Sequence, residues 1–109
     1  MTRPSPSVEA SVRSLRERIA FVDHLLLEGY AARLRLVEEL WLVKRRHGLP
    51  LEDPNQEATV LARARAWATA HGLSAVEVER FQRWVIAASK RSAAAVLPPW
   101  EDAPPVAVA

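Results

Sequence analysis

The stretch that decides the fold runs from residue 15 to residue 43 and reads LRERIAFVDHLLLEGYAARLRLVEELWLV. Spacings of four and three residues alternate throughout it, the heptad pattern of a helix that packs along its whole length. The positions of this heptad seam are Leu15, Ile19, Val22, Leu26, Gly29, Arg33, Leu36, Leu40 and Val43. Working outward, the pattern predicts a helix from about Val8 to His47, because Gly48 and Pro50 are residues that end helices.

Two shorter helices are predicted after the long one. Asp53 is a good N-cap and Pro54 suits the first helical position, so the second helix begins there and continues to His71. Ser74 opens a capping box and starts the third helix, which is expected to end near Ala95. The sequence therefore predicts an all-α chain of three helices, one long and two shorter.

The lengths of these helices predict a dimer. A helix of ~40 residues is roughly 60 Å long, whereas helices of ~18 to 20 residues span about 30 Å each. Two such helices do not easily cover the whole heptad seam within one chain. A second copy of the chain is the expected cover, which gives an intertwined homodimer.

Composition limits the function classes. The 109 residues make one small domain, and 15 Lys and Arg against 13 Asp and Glu leave a net charge of +2, too small to indicate nucleic-acid binding. The absence of cysteine excludes disulfides, thiol nucleophiles and Cys-ligated zinc. No apolar run approaches the ~20 residues that cross a bilayer, and the first residues do not resemble a secretory signal. A cytoplasmic protein that does not bind a membrane is the expectation.

Proline and serine set the two ends apart from the middle. Residues 1–7 are predicted to be a disordered N-terminal segment, and residues 98–109 a Pro-rich flexible tail. The helical domain is assigned to residues 8–97. Trp100, in the tail, is able to fold back onto an apolar groove.

Two cations interrupt the apolar face of the long helix. Arg33 occupies a seam position, and Lys44 follows eleven residues later on almost the same helical face. Charges facing a core are costly unless they are paired, and like charges do not pair with each other. One such residue alone is usually a snorkelling side chain or half of a helix-surface ion pair, but two cations along one stripe favour an anionic ligand.

The remaining conspicuous residues have simpler explanations. The histidines at 24, 47 and 71 lack metal-ligand spacing, so no metal site is predicted. The basic run at residues 44–47 suits the end of a helix, where cations interact favourably with the macrodipole. Trp41, Trp67 and Trp84 fall on helical faces and are expected in the core.

Taken together, several elements between residues 15 and 89 resemble the all-helical chorismate mutase family, the chorismate mutase type II domain. The elements are Leu15-Arg16, Ile19, Asp23, Arg33, Lys44, the loop from Gly48 to Glu57, His71-Gly72-Leu73 and Ile86-Ala87-Ala88-Ser89. Their spacings run without a gap, and the constellation is more specific than any one element. The resemblance implies a dimer with two equivalent sites, each built from both chains.

The resemblance also implies roles for individual residues. Arg16 would reach into the site of the partner chain, and Arg33 would bind a substrate carboxylate. Lys44 would donate to the ether oxygen, while Asp53 and Glu57 would hold the substituent at ring carbon C4. The predicted catalytic residues are Lys44, Arg33 and Glu57, and the predicted substrate contacts are Arg16, Arg33, Lys44, Asp53, Gln56, Glu57 and Ser89, the last at a carboxylate.

Two positions depart from the family pattern. Gln56 stands where arginine is usual, and Ala93 where the family has glutamine or glutamate. The second departure matters more, because that side chain assists Lys44 at the ether oxygen. Lys90 is a conceivable substitute donor, although a solvated surface lysine is the favoured interpretation.

The reaction implied by the resemblance is the Claisen rearrangement of chorismate to prephenate, an isomerisation without cofactor or metal. Two alternatives stay open. A neutral Gln56 beside Asp53 and Glu57 suits the 4-amino analogue, 4-amino-4-deoxychorismate, whose mutases serve antibiotic pathways. A non-catalytic helical dimer that binds a partner protein or regulates another enzyme is supported by Ala93. A related lyase that acts on isochorismate usually lacks the acidic pair of this loop. The predicted partners are one small dicarboxylate substrate and a second copy of the chain.

Overall fold

The computed structural model describes residues 2–97, and three helices account for most of them. Helix α1 spans Pro6–Arg46, α2 spans Pro54–Ala70 and α3 spans Ala75–Val96. The described residues contain no strand. The all-α fold with one long and two shorter helices, predicted from the sequence, is confirmed. The predicted tail with Trp100 lies outside the described residues.

Local signals explain where the helices begin and end. Asp53 adopts an extended conformation and its side chain accepts from the Gln56 N–H at 3.1 Å, so α2 begins at Pro54 as expected. Ser74 caps α3 by accepting from the Glu77 N–H at 3.3 Å. The loops turn at Gly48 and Gly72, whose φ values of 66° and 69° lie in the left-handed region that glycine adopts readily.

Helix α1 begins two residues earlier than the sequence pattern suggests. The Ser5 hydroxyl accepts from the Val8 N–H at 3.3 Å, and Pro6 occupies the first helical position. Serine at an N-cap followed by proline is a helix-start signal. The early prolines therefore open the helix instead of holding residues 6 and 7 outside it.

The chain divides into two units between Ala32 and Arg33. The first unit carries the N-terminal part of α1, and every described residue up to Gly29 is exposed. In this unit the heptad-seam residues Leu15, Ile19, Val22 and Leu26 are each more than half exposed. The seam is therefore uncovered in the single chain.

The second unit contains the rest of α1 together with α2 and α3, and α2 packs against α3. Its apolar core is small and consists of Trp41, Leu61, Ala68, Val85, Ala88 and Ala93. On α1 the buried residues are Trp41 and Arg45, whereas the seam residues Leu36 and Val43 stay 62% and 49% exposed. Trp67 and Trp84 are also about half exposed, so the expectation that both lie in the core is wrong for the single chain.

Candidate functional site

One pocket in the second unit collects nearly all the polar residues singled out from the sequence. It encloses about 110 Å³, which is room for part of one small molecule. Its apolar wall is formed by Val37, Leu40, Trp41, Leu51, Val60 and Ile86. Its charged and polar lining is Arg33, Lys44, Glu52, Asp53, Gln56, Glu57, Ser89 and Lys90. All of these residues belong to α1, the loop before α2, the start of α2, or α3.

Arg33 is held at the pocket by α3. Its Nη1 donates to Ser89 Oγ at 2.5 Å, and Ser89 Oγ in turn donates to the Val85 carbonyl at 2.7 Å. Within residues 2–97 no carboxylate pairs with Arg33, and burial lowers the pKa of its guanidinium. A partly buried cation that lacks an ion pair is poised to bind an anion.

Ser89 has a different set of bonds from the one that the family resemblance implies. The residue is almost fully buried, at 1% exposure, and the single proton of its hydroxyl is directed to the Val85 carbonyl. It therefore accepts from Arg33 and has no second proton to offer a carboxylate. In this geometry Ser89 orients Arg33.

Lys44 provides the second cation of the pocket. Its Nζ donates to the Leu51 carbonyl at 3.1 Å, which fixes the ammonium against the loop before α2. An ammonium has three donors, so two remain for a ligand. No carboxylate among the described residues pairs with Lys44.

The acidic wall of the pocket lies at the beginning of α2. Asp53 uses Oδ1 to cap the helix, which leaves Oδ2 as an acceptor. Gln56 receives that cap through its backbone N–H, while its exposed side chain makes no hydrogen bond within the described residues and lines the pocket. The Gln56 side chain therefore does not complete a capping box with Asp53.

Lys90 crosses from α3 to this acidic wall. Its Nζ lies 2.8 Å from Glu52 Oε1 and also contacts Glu57 Oε1. The hydrogen bond to Glu52, followed by the one to Glu57, raises the pKa of Lys90, and the bond from Lys90 lowers the pKa of the Glu52 carboxyl. With its side chain 29% exposed, Lys90 is not the solvated surface lysine favoured from the sequence. It is the site residue that sequence reasoning underrated.

Two of the singled-out residues do not line this pocket. Arg16 is exposed on the first unit, beside a shallow groove that Glu9, Val12 and Glu17 also line. Ala93 is completely buried in the core and does not line the pocket. The described residues hold no group of three or more His, Asp or Glu placed to bind a metal ion. Nor does any helix among them have the length and apolar character to cross a membrane.

Comparison with known proteins gives two kinds of match. A family model described as chorismate mutase type II matches residues 15–93. A T-protein from Enterobacter agglomerans is 41% identical over 83 residues, which cover 76% of this chain and 22% of that protein. A T-protein from Haemophilus influenzae is 36% identical over 77 residues, covering 67% of this chain and 20% of that protein. The chain thus spans about a fifth of the length of the curated relatives it matches.

Proposed function

Because the chain belongs to the chorismate mutase type II family, we propose that it rearranges chorismate to prephenate. The family assignment confirms the resemblance drawn from the sequence, and it supports the prediction that the protein is an isomerase. The observation that carries the specific activity is the presence of Arg33 and Lys44 in the same pocket. Both cations line one pocket with apolar walls, and neither has a carboxylate partner in residues 2–97.

The proposed reaction is a concerted rearrangement within one molecule. The ether C–O bond breaks as a new C–C bond forms, and no proton, nucleophile or electron carrier takes part. The protein accelerates such a step by holding the compact reactive conformer and by stabilising the negative charge that develops on the ether oxygen. Fixed cations in a pocket with apolar walls supply both effects.

The charges of the pocket orient a substrate of this kind. A guanidinium grips a carboxylate through parallel hydrogen bonds, so Arg33, steadied by Ser89, binds a carboxylate group. Lys44, with two free donors, faces the ether oxygen. The hydroxyl at C4 is the substrate's own donor, and it is directed to Asp53 Oδ2 and Glu57 Oε2, the oxygens that the chain leaves available.

A second copy of the chain completes the proposed site. The apolar residues of the heptad seam are about half exposed from Leu15 to Val43, and exposed apolar patches of this extent mark interaction surfaces. A two-fold dimer packed along the seam buries it, and it lets Arg16 of the partner subunit approach a substrate carboxylate. The dimer also accounts for the exposed position of Arg16 away from the pocket lining.

The 4-amino substrate is the second candidate, and Gln56 is the observation in its favour. A neutral side chain there leaves no arginine to repel an ammonium at C4. Lys90 weakens this argument, because it brings a cation to Glu57 from α3. A scaffold without activity is less favoured, since it does not explain why two cations without carboxylate partners face one pocket.

The test is a side-by-side assay of the purified chain on chorismate and on 4-amino-4-deoxychorismate. Loss of the enolpyruvyl ether is followed by absorbance, and NMR distinguishes an isomer from a product that has released pyruvate. Isomerisation of chorismate, lost in Lys44→Met and kept in the neighbouring exposed Arg46→Met, is the expected result. A folded dimer inactive on both substrates overturns the proposal.

A further inference from the structure

Lys90 and Glu52 are the charged residues of the pocket to which the proposed mechanism gives no task, and Lys90 is the cation of the two. It extends from α3 to two carboxylates that lie 33 and 38 residues earlier in the sequence, Glu57 and Glu52. All three side chains line the same pocket as Arg33 and Lys44. The cation therefore stands at the acidic wall, where the proposed function directs the C4 substituent.

The contact atoms define what Lys90 does to Glu57. The ammonium engages Oε1 and leaves Oε2 available to a ligand. A hydroxyl donates to Oε2 as a neutral partner and is not repelled by the ammonium. An ammonium bound at Oε2 would lie about 5–6 Å from Lys90 Nζ, a distance at which two cations repel noticeably inside a protein.

The net charge of the wall refines this effect. The three carboxylates of Glu52, Asp53 and Glu57 exceed the single positive charge of Lys90, so the net charge of the wall stays negative. Glu52 is largely solvated, however, with its side chain 65% exposed, and water screens its charge. Glu57 is only 35% exposed and is the carboxylate that Lys90 contacts most closely. Of the two carboxylates that Lys90 contacts, Glu57 is thus the one less screened by solvent.

Resting on the proposed function, we propose that Lys90 is a specificity-determining residue. By sharing the Glu57 carboxylate, it makes the site favour a substrate with a hydroxyl at C4 over one with an ammonium there. The cation absent at Gln56 is in this way supplied from α3.

A different role for Lys90 leads to a different result. If it replaced the donor missing at Ala93, its ammonium would face the ether oxygen, and its loss would slow both substrates equally. The observed bonds instead commit Nζ to two carboxylates at the start of α2. Comparing two substrates separates the alternatives, because selectivity and overall rate respond differently.

The experiment measures kcat/KM of the 109-residue chain on chorismate and on 4-amino-4-deoxychorismate for the wild type, Lys90→Met, Lys90→Gln and Lys90→Arg. Arg80→Met is the matched control, since Arg80 pairs with Glu77 on the same helix and does not line the pocket. Removing the charge at Lys90 is expected to raise the selectivity ratio, kcat/KM for the amino substrate divided by kcat/KM for chorismate, about fivefold or more. Lys90→Arg and Arg80→Met are expected to keep the ratio within about twofold of the wild type.

The outcomes separate this proposal from the one on which it rests. If the wild type turns over chorismate and both uncharged variants keep its selectivity ratio, the proposed role of Lys90 is overturned and the proposed function stands. An equal loss of kcat on both substrates also overturns it and assigns Lys90 to the ether oxygen. A folded wild type that turns over neither substrate overturns both proposals. Thermal melts of each variant identify any that fail to fold, and Lys90→Gln provides a second uncharged variant.

Discussion

The two ends of α1 carry the same heptad pattern in very different surroundings. Up to Gly29 every described residue is exposed, whereas between Arg33 and Arg46 the helix contributes Trp41 and Arg45 to the buried set. The C-terminal end also bonds to α3, through Arg33 with Ser89 and Glu38 with Ser92. Sequence periodicity is therefore enough to specify the helix but does not specify what covers it.

This difference assigns separate tasks to the two regions. The C-terminal end of α1 shapes a pocket with residues of its own chain, and its cations acquire fixed positions there. The N-terminal end presents apolar side chains and Arg16 without any burial, which is costly unless another surface packs against them. The C-terminal end of α1 is explained as part of a site, and the N-terminal end as an interface in the proposed dimer.

Substitution of Arg33, which lines the pocket, should have the largest effect. Arg33→Leu should lower kcat/KM for chorismate by about 10³-fold or more, because a charged donor to the reacting molecule is lost. Its melting temperature should stay level or rise, since the cation has no ion pair within residues 2–97 to lose and burial already opposes its charge.

Steady-state kinetics and thermal melts of the same preparation check this prediction. Arg33→Lys is the matched control, which keeps the charge but loses the fork that grips a carboxylate. Unfolding of Arg33→Leu would instead make Arg33 a structural residue and would move the substrate carboxylate elsewhere.

The next largest effect is expected at Ile19, on the interface side. Ile19 is 59% exposed in the single chain, so Ile19→Glu costs little if the chain acts alone. In the proposed dimer it removes about 1.5–3 kcal/mol of apolar burial from each copy and should raise the dimer dissociation constant at least about 100-fold. Sedimentation across a concentration series measures this change.

Arg18→Gln serves as the control for Ile19→Glu, because it shifts the net charge by the same single unit at a neighbouring exposed position off the seam. Its dissociation constant should match the wild type. A wild type that is monomeric and fully active would contradict both the proposed interface and the proposed shared site.

Most of the fold could be predicted from the sequence because its signals are local. Asp53, Ser74, Gly48 and Gly72 each act within a few residues of a helix end, and the helices begin and end close to where these residues stand. The start at Pro6 differs from the predicted start near Val8 because proline breaks a helix in its interior but suits its first position.

The site could be predicted only in part, since its contacts are not local. Arg33, Lys44, Asp53 and Glu57 follow from spacing and family resemblance, and all four line the pocket. Lys90 could not be placed, because its partners come from another helix and the loop before it. The same holds for the hydroxyl of a buried serine, whose bonding is decided by the packing of its helix.

Mixing two inactive variants tests whether the site is shared between subunits. Arg16→Ala and Arg33→Ala, each damaged in a different region, should both be inactive as homodimers if every site takes Arg16 from the partner subunit. After mixing under conditions that exchange subunits, heterodimers contain one intact site, and about a quarter of the wild-type activity should return. Recovery that is absent despite proven exchange would place both arginines in one chain's site.

The smallest effect concerns Glu79, which ties α2 to α3 in the second unit. Its Oε1 accepts from Arg65 at 2.9 Å and from Arg83 at 3.0 Å, and the bond from Arg83 in particular lowers the pKa of Glu79 below its ordinary 4.5. A depressed carboxyl pKa stabilises the fold above the unfolded value, and this contribution disappears as the pH falls through the folded pKa. Glu79→Gln should therefore melt slightly below the wild type at about pH 6, and the two melting curves should converge at about pH 3.

Glu17→Gln is the control, because Glu17 is an exposed carboxylate of the first unit without an ion pair in residues 2–97. This variant should follow the wild type at every pH. If the gap between Glu79→Gln and the wild type stayed constant with pH, packing rather than charge would hold α2 to α3 at this point.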